Sequence, residues 1–415
     1  MFREVTLRNF RTHRKTSITL HPITLLVGNN NSGKSNILQG IRHLSHLVWR
    51  AAPIRRKTDH PRIRAGEDFF IPRYRLARDE EPLAWSVKWE GSGVEVKYDL
   101  ELIQTRPSKD FISCRERIEV RRGSEKAVRF ESGFDEESNR LQLRTLIDQS
   151  DRFPQIFRKT CRDFFNLLTA FVYHFQPSYL KNSGDGDSRI TPYDKDARVA
   201  IPSEIGYEGG NFQRLIYYAR EREERVFSRF VALVRRFNED FHGVRLNPRG
   251  FPIWEFDLGS TRTDRLVEEF SPDLLSDGFL KAAAIALIVS LDRPPSIIML
   301  EEIENGINPG NIREIMYWLR QAASTQRVHG SSQFILTSHS PSVLREFSKY
   351  LESVYTLRLE KSTHQSDVRN LNTSLETLIG IGVIDGNVTE DEQGNRIVEV
   401  PPYQLTDLWY SGTIG

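Results

Sequence analysis

The sequence predicts an α/β protein: a mostly parallel β-sheet with flanking helices, carrying an inserted antiparallel β-meander and a helical subdomain, with no long coiled coil. Three observations predict it. Residues 28–35, Gly-Asn-Asn-Asn-Ser-Gly-Lys-Ser, stand between an apolar run at 24–27 and a helically spaced segment. Two further continuous apolar runs, 296–300 and 333–337, are separated by a helical pattern over 311–323; unbroken apolar runs of this length suit strands buried on both faces of a parallel sheet. From Leu83 to Phe130 the spacing is period two, through Trp85, Val87, Trp89, Val94, Val96, Tyr98, Leu100 and Leu102 to Ile118, Val120 and Val128, as in an antiparallel sheet with one wet face.

In chain order, Phe2, Val5 and Leu7 alternate as a strand, and 18–20 and 23–27 add short β-type runs. Ile37, Ile41, Leu44 and Val48 then share one helical face. Gly91-Ser92-Gly93 and Arg122-Gly123 mark turns of the meander. A helical section over roughly 139–171 leads to a strand at 170–175, and 181–208, rich in Gly, Asp, Ser and Pro, reads as a long loop. Residues 212–238 read as a single charged amphipathic helix, and 244–258 as a strand pair turning at Arg249-Gly250. An apolar helix at 278–291 precedes the two buried strands, and 354–359 is strand-like. The organisation this suggests is an N-terminal lobe over 1–135, a helical and loop insert over 136–243, a second lobe over 244–345 and an extension over 346–415.

Composition excludes several classes. The 415 residues include 24 Phe, 13 Tyr and 6 Trp, ample material for packed cores. The longest apolar run, 282–291, is half of the roughly 20 residues a membrane helix needs, and the charged, alternating start MFREVTLRNF does not read as a signal peptide. Cys114 and Cys161 cannot build a disulfide framework, so a reduced, cytoplasmic protein is expected. The net charge of +2 does not itself advertise nucleic acid. Between Arg42 and Arg78, however, ten Lys/Arg face only Asp59, Glu67 and Asp68. Such a stretch suits DNA phosphates, an acidic partner protein, or a solvated loop.

Residues 28–35 match G-x-x-x-x-G-K-[ST] in full. Backbone N–H groups of Gly28, Asn29, Asn30, Asn31, Ser32 and Gly33, and of Asn36 where the helix begins, can converge on phosphates at the helix N-terminus. Lys34 supplies a positive charge to the β- and γ-phosphates, and Ser35 offers a hydroxyl to Mg²⁺. The motif predicts binding of a nucleoside triphosphate. At the end of the second apolar run, Glu301 and Glu302 divide two tasks: Glu301 for the metal, Glu302 as the base that polarises the attacking water. Glu304 is a weaker candidate, and an acidic helix N-terminus is the plainer alternative. His339 follows the third apolar run, at the strand end where ligands collect in open α/β sheets, and can donate to a γ-phosphate. A Ser/His nucleophile at Ser338 or Ser340 lacks the G-x-S-x-G elbow. Finally, Leu274-Leu275-Ser276-Asp277-Gly278-Phe279 opens the apolar helix. Read alone, Ser276 or Asp277 is an N-cap; in order after the phosphate loop and before the acid pair, Ser276 and Gly278 form a second anion-binding feature, most useful on a dimer partner's nucleotide.

Those four elements, in that order, resemble the ABC-type ATPase head, and within it the RecF/SMC/OLD-like group. Asn9-Phe10-Arg11-Thr12-His13 is similar to the N-F-R-S-H type start of the SMC-related heads, a likeness that implies a nucleotide contact for Arg11. Residues 301–309, Glu-Glu-Ile-Glu-Asn-Gly-Ile-Asn-Pro, are similar to the E-E-P-E-x-x-x-H-P element of OLD-like ATPases, departing at Ile303 and Asn308. Gly209-Gly210-Asn211-Phe212 and Leu408-Trp409-Tyr410-Ser411-Gly412 also resemble small stand-alone members. Sustained heptads, as in SMC arms, are missing between Lys34 and Ser276. No Asp-x-Asp follows His339, so the TOPRIM nuclease domain of OLD proteins is not expected.

The resemblance implies an ATP- and Mg²⁺-dependent switch that hydrolyses ATP and forms a head-to-tail homodimer, with no membrane partner. By analogy with bacterial anti-phage systems, it implies control of a separately encoded effector such as a TOPRIM-type nuclease. A RecF-like repair ATPase holding DNA through the Arg42 to Arg78 region, and a scaffold with a structural nucleotide, are the competing expectations.

Overall fold

In a computed structural model of the chain, the structure describes residues 1–50, 72–77, 81–104, 112–132, 141, 143, 147, 153–181, 205–248, 250–259, 266–325, 331–390, 394 and 396–414. Along the chain, β1 (Phe2–Phe10), β2 (His13–Thr19) and β3 (Ile23–Gly28) precede α1 (Lys34–Arg50). Next come β4 (Leu83–Gly91), β5 (Val94–Gln104), β6 (Ile112–Arg122) and β7 (Val128–Ser132), then α2 (Gln155–Leu167), β8 (Ala170–Tyr173) and α3 (Pro177–Leu180). There follow α4 (Phe212–Arg222), α5 (Glu224–Phe237), β9 (Phe241–Leu246), β10 (Pro252–Asp257), β11 (Val267–Phe270) and α6 (Asp277–Ser290). The chain then forms β12 (Ile297–Leu300), α7 (Ile312–Ser324), β13 (Gln333–Ser338), α8 (Pro341–Arg345), β14 (Val354–Leu359) and β15 (Ser366–Asn370). It ends with α9 (Leu371–Gly380), β16 (Asn387–Glu390), β17 (Arg396–Glu399) and α10 (Pro402–Tyr410).

The chain divides into two compact units: Met1–Phe171 with Pro295–Met299 and His329–Gly415, and Val172–Pro294 with Leu300–Val328. The first is built on two sheets. One is antiparallel, in the order β2-β1-β4-β5-β6-β7; the other runs β15-β14-β3-β13-β12-β8. In the second sheet β3 pairs in parallel with both β13 and β14, and β15 is antiparallel to β14. Every residue of β3, β12 and β13 is buried, which is why their sequences show no alternation. The expected mostly parallel sheet with a meander is thus the observed architecture, and among the described residues no helix is long and apolar enough to cross a membrane.

The meander's strands are longer than the period-two windows suggest, and the N-terminal strand joins them through β1–β4 pairing. A register shift between Phe2 and Glu4 explains why Phe2, Val5 and Leu7 are not evenly spaced: the bulge inserts one residue and returns Val5 to the buried face. The β4–β5 turn has Ser92 at φ 53° and Gly93 at φ 72°, the double left-handed geometry of a type I′ hairpin. Helix α1 packs on β1, where Gly40 lets the backbone close in: a Cβ there would lie 2.9 Å from Leu7 Cδ1, and Trp85 Nε1 donates to the Gly40 carbonyl at 2.9 Å.

The second unit is organised around Trp254. The rings of Phe212, Phe230, Phe241 and Phe279 lie 6.2, 6.2, 5.9 and 5.4 Å from it. This corrects the expectation of one helix over 212–238. Phe212 and Phe230 would stand about 27 Å apart on a straight helix at roughly 1.5 Å per residue, yet both touch one indole. The chain therefore breaks at Glu223, φ −132° and ψ 59°, into α4 and α5. Most of the expected loop at 181–208 lies outside the described residues, as does most of the basic stretch: Arg55, Arg56, Lys57, Arg62, Arg64 and Arg78.

Candidate functional site

In the first unit, the parallel pairing of β3 with β13 sets Ser338 opposite Val27. His339 therefore leaves its strand beside the point where Gly28 starts the phosphate loop. On the other side of β3, Leu357 of β14 pairs with Gly28. The loop itself alternates in exposure: Asn29, Asn30 and Asn31 face solvent, Ser32, Gly33 and Lys34 are buried, and Ser35 is exposed again at the start of α1. Asn31 takes a left-handed φ of 64°, which its short polar side chain tolerates.

Both motif glycines are required by close approach. At Gly28, φ is +154° and a Cβ would fall 2.2 Å from the Leu357 carbonyl oxygen. At Gly33, φ is +104° and a Cβ would lie 2.2 Å from Ser366 Oγ and 3.0 Å from His13 Nε2 and Thr12 Oγ1. Lys34, 6% exposed, curls back so that its Nζ donates to the carbonyls of Gly28 at 2.7 Å and Asn29 at 3.0 Å. The ammonium thus sits in the mouth of its own loop. The first turn of α1 holds no acidic residue, which leaves the positive end of the helix dipole facing the loop.

A polar chain supports the loop from beneath. Arg11 Nη1 donates to Asn36 Oδ1 at 3.2 Å, Asn36 Nδ2 to Thr12 Oγ1 at 2.9 Å, and Ser366 Oγ to Thr12 Oγ1 at 2.7 Å. His13 lies between Thr16 Oγ1 at 2.9 Å and the Gly33 carbonyl at 3.0 Å. Burial holds its imidazole down at about 4, with the Gly33 hydrogen bond acting in the opposite direction. Arg11 itself has a left-handed φ of 51° in the turn joining β1 to β2 and lies over the Phe10 ring, 5.5 Å from its centroid.

The second unit holds the remaining expected residues. Ser276 caps α6, its Oγ accepting from Phe279 N at 3.3 Å, so the N-cap reading is realised. Gly278 is closely packed: a Cβ there would meet the Gly306 carbonyl oxygen at 2.1 Å. Glu301, 8% exposed, lies with Oε2 3.3 Å from His174 Nδ1. Glu302 is half-buried and has φ 48°, a conformation that costs a non-glycine residue on the order of 1–3 kcal/mol. Its carbonyl accepts from Asn305 N at 2.9 Å and from Lys281 Nζ at 2.5 Å. Ile303, which departs from the expected proline, is fully buried and anchors the turn.

The first unit thus brings together Arg11, the loop from Gly28 to Asn36 and His339; the second brings together Ser276, Gly278, Glu301 and Glu302. Sequence reasoning missed His174, Lys281, Ser366 and the Leu357 carbonyl. Lys281 had a signal, as the one charged residue inside the apolar run 279–291. Ser366 and Leu357 had none, because they reach the loop through strand pairing with a distant segment.

The donors of each unit have the chemistry of a magnesium–nucleotide complex. In the first, a buried ammonium and a helix N-terminus without acids suit polyphosphate, and the hydroxyl of Ser35 is a hard oxygen ligand of the kind Mg²⁺ takes; in the second, the carboxylate of Glu301 is of the same kind. A family profile described as "AAA domain, putative AbiEii toxin, Type IV TA system" matches residues 23–345. Among solved structures, the chain is similar to an SMC head domain from Thermotoga maritima, at 16% identity and TM-score 0.43, covering 89% of this chain and 98% of that one. It is also similar to an Smc head bound to the C-terminal winged-helix domain of ScpA, at 12% identity and TM-score 0.42, covering 90% and 99%. A third likeness is to an Smc head with an extended coiled coil bound to the C-terminal domain of ScpA derived from Pyrococcus furiosus, at 13% identity and TM-score 0.40, covering 92% and 99%. No curated protein matches the chain.

Proposed function

Since the chain belongs to the AAA domain family described as putative AbiEii toxin, type IV toxin–antitoxin system, we propose that it is an ATP-binding and ATP-hydrolysing switch that dimerises around nucleotide and controls a separate effector, in anti-phage defence. The observation that carries the nucleotide part is the phosphate loop: two glycines at positive φ whose Cβ would fall 2.2 Å from a neighbouring atom, and Lys34 held at its mouth.

In this reading the loop N–H groups and Lys34 bind the β- and γ-phosphates, and His339 donates to the γ-phosphate. Ser35 and Glu301 would hold Mg²⁺, which when bound supplies charge neutralisation on the phosphate oxygens. Glu302 accepts a proton from the attacking water, and phosphoryl transfer needs little more from the protein than positioning and charge. Ser276 and Gly278 would present the start of α6 to the nucleotide of a second copy, closing a head-to-tail dimer, and Arg11 would touch the nucleotide from the β1–β2 turn. Hydrolysis would reopen the dimer, so that nucleotide state biases a two-state assembly.

The test is a pair of variants. Glu302→Gln should lower ATP turnover by roughly 10²–10⁴-fold, the usual worth of a general base, with nucleotide affinity retained, whereas Lys34→Ala should lose affinity itself. Undiminished turnover in the first variant overturns the base, and intact affinity in the second overturns the loop. Co-purification of tagged Glu302→Gln in ATP with the products of neighbouring genes should return a stoichiometric second protein; nuclease-sensitive DNA alone would replace the effector reading with a DNA-binding repair ATPase.

A further inference from the structure

Helix α6 is apolar from Phe279 to Val289 except at Lys281, which is only 6% exposed. An ammonium in such surroundings is held only where hydrogen bonds replace water. Here they come from the turn after β12: Nζ donates to the carbonyl of Glu302 at 2.5 Å and to that of Asn305 at 3.1 Å. Burial draws its pKa down to about 8, against the opposing pull of the Glu304 and Glu302 carboxylates.

Three further contacts show what those hydrogen bonds fix. The Glu302 carbonyl also accepts from Asn305 N at 2.9 Å, the Glu304 carbonyl from Ile307 N at 2.9 Å, and Asn305 Nδ2 lies 3.5 Å from Glu302 Oε2. The turn is tight and its first residue is left-handed. Such a backbone persists only when its surroundings over-determine it, and Lys281 bridges two of its carbonyls, those of Glu302 and Asn305, from another element. One turn earlier on α6, Gly278 packs against the Gly306 carbonyl, so helix and turn interlock at two levels, both inside the second unit.

We propose that Lys281 is a positioning residue for ATP hydrolysis: by holding the carbonyls of Glu302 and Asn305 it fixes the left-handed turn and so aims the Glu302 carboxylate. This rests on Glu302 being the base. In this role Lys281 acts through the peptide that carries the carboxylate. Because the same helix begins with Ser276, the lysine also ties the base of one subunit to the segment that would face the partner's nucleotide.

The experiment compares wild type, Lys281→Met, Lys281→Arg, Glu302→Gln and the Lys281→Met/Glu302→Gln double variant by steady-state ATPase kinetics, ATP affinity and thermal unfolding. Methionine matches the length of the lysine stem and suits an apolar helix, and the stability lost when two carbonyls lose their donor is read separately by thermal unfolding. Lys281→Met should lower kcat by about 10²-fold, the scale of a misplacement of about an ångström, with the ATP KM and affinity unchanged. Lys281→Arg should recover part of the loss. In the Glu302→Gln background Lys281→Met should cost nothing more, since a residue acting through the base cannot act once the base is gone. A full additional loss in the double variant, or a wild-type kcat in Lys281→Met, overturns the proposal. Should Lys281→Met fail to fold, Lys281→Arg and its double variant carry the same cycle. Equal turnover in Glu302→Gln and wild type would instead overturn the base assignment, a result distinct from either.

Discussion

His13 shows how much a single buried side chain can report. Its imidazole is neutral in the folded protein because burial lowers its pKa to about 4 from an ordinary 6.5. The unfolded chain therefore takes up a proton in a range where the folded one does not. The sign follows: the stability from His13 is intact above about pH 6.5 and is lost as the pH falls towards about 4, on the order of 3 kcal/mol at roughly 1.4 kcal/mol per unit. His13→Gln, which keeps an amide donor near the Gly33 carbonyl but does not titrate, should show a shallower loss of urea stability between pH 7 and pH 4.5. Parallel losses in the two proteins would remove His13 from the acid response. The residue was visible in the sequence only as part of the Asn9 to His13 run; its place under Gly33 depends on a turn that folds β2 back onto the loop.

At the scale of elements, the phosphate loop is held between strands. Gly28 and Gly93 both have φ in the left-handed half of the map, but only Gly28 has a backbone carbonyl in the way; around Gly93 there is nothing within 4 Å. Gly93→Ala should therefore cost only the backbone strain, about 1–2 kcal/mol. Gly28→Ala should add an overpacking cost of roughly 1–3 kcal/mol as β14 is pushed off β3, and should weaken ATP binding as the loop shifts. Equal destabilisation in the two, with ATP affinity preserved in Gly28→Ala, would show that β14 yields without disturbing the loop. The break at Glu223 is another decision made at this scale. The apolar spacing of 212–219 resumes only at Val226, after the six charged residues 220–225; a charged stretch is compatible with a continuous helix, so the pattern read as one, and the shared contact of Phe212 and Phe230 with Trp254 required two.

For the molecule as a whole, the residues of the proposed reaction are divided between units that each have their own core. The phosphate loop, Arg11 and His339 belong to one, and the acid pair, Ser276 and Gly278 to the other, with β12 carrying the chain from the first to the second within a single strand. Under the proposed function, nucleotide binding is coupled to association with a second copy. Sedimentation of Glu302→Gln should accordingly show a dimer that grows with ATP and dissociates with ADP. Replacing Ser276 by Arg, which puts a bulky cation where the proposed dimer needs a bare helix end, should leave ATP affinity intact and abolish that dimer. A species that ignores ATP, or a Ser276→Arg dimer as firm as the parent, would contradict head-to-tail closure.

By itself the sequence determined whatever depends on neighbours along the chain. The phosphate loop, the buried strands ending at Leu300 and Ser338, the capped start of α6 and the period-two meander are local patterns, since a strand's burial and a helix's cap are written within a few consecutive residues. Tertiary structure alone decided which distant segments complete those patterns. Ser366 and Leu357 reach the loop because β14 and β15 pair into the β3 sheet, His174 meets Glu301 where β8 ends, and Lys281 meets Glu302 across a helix–turn contact. Those are contacts between residues roughly 20 to 330 positions apart, whose register is set by sheet pairing and core packing, and no local spacing encodes them.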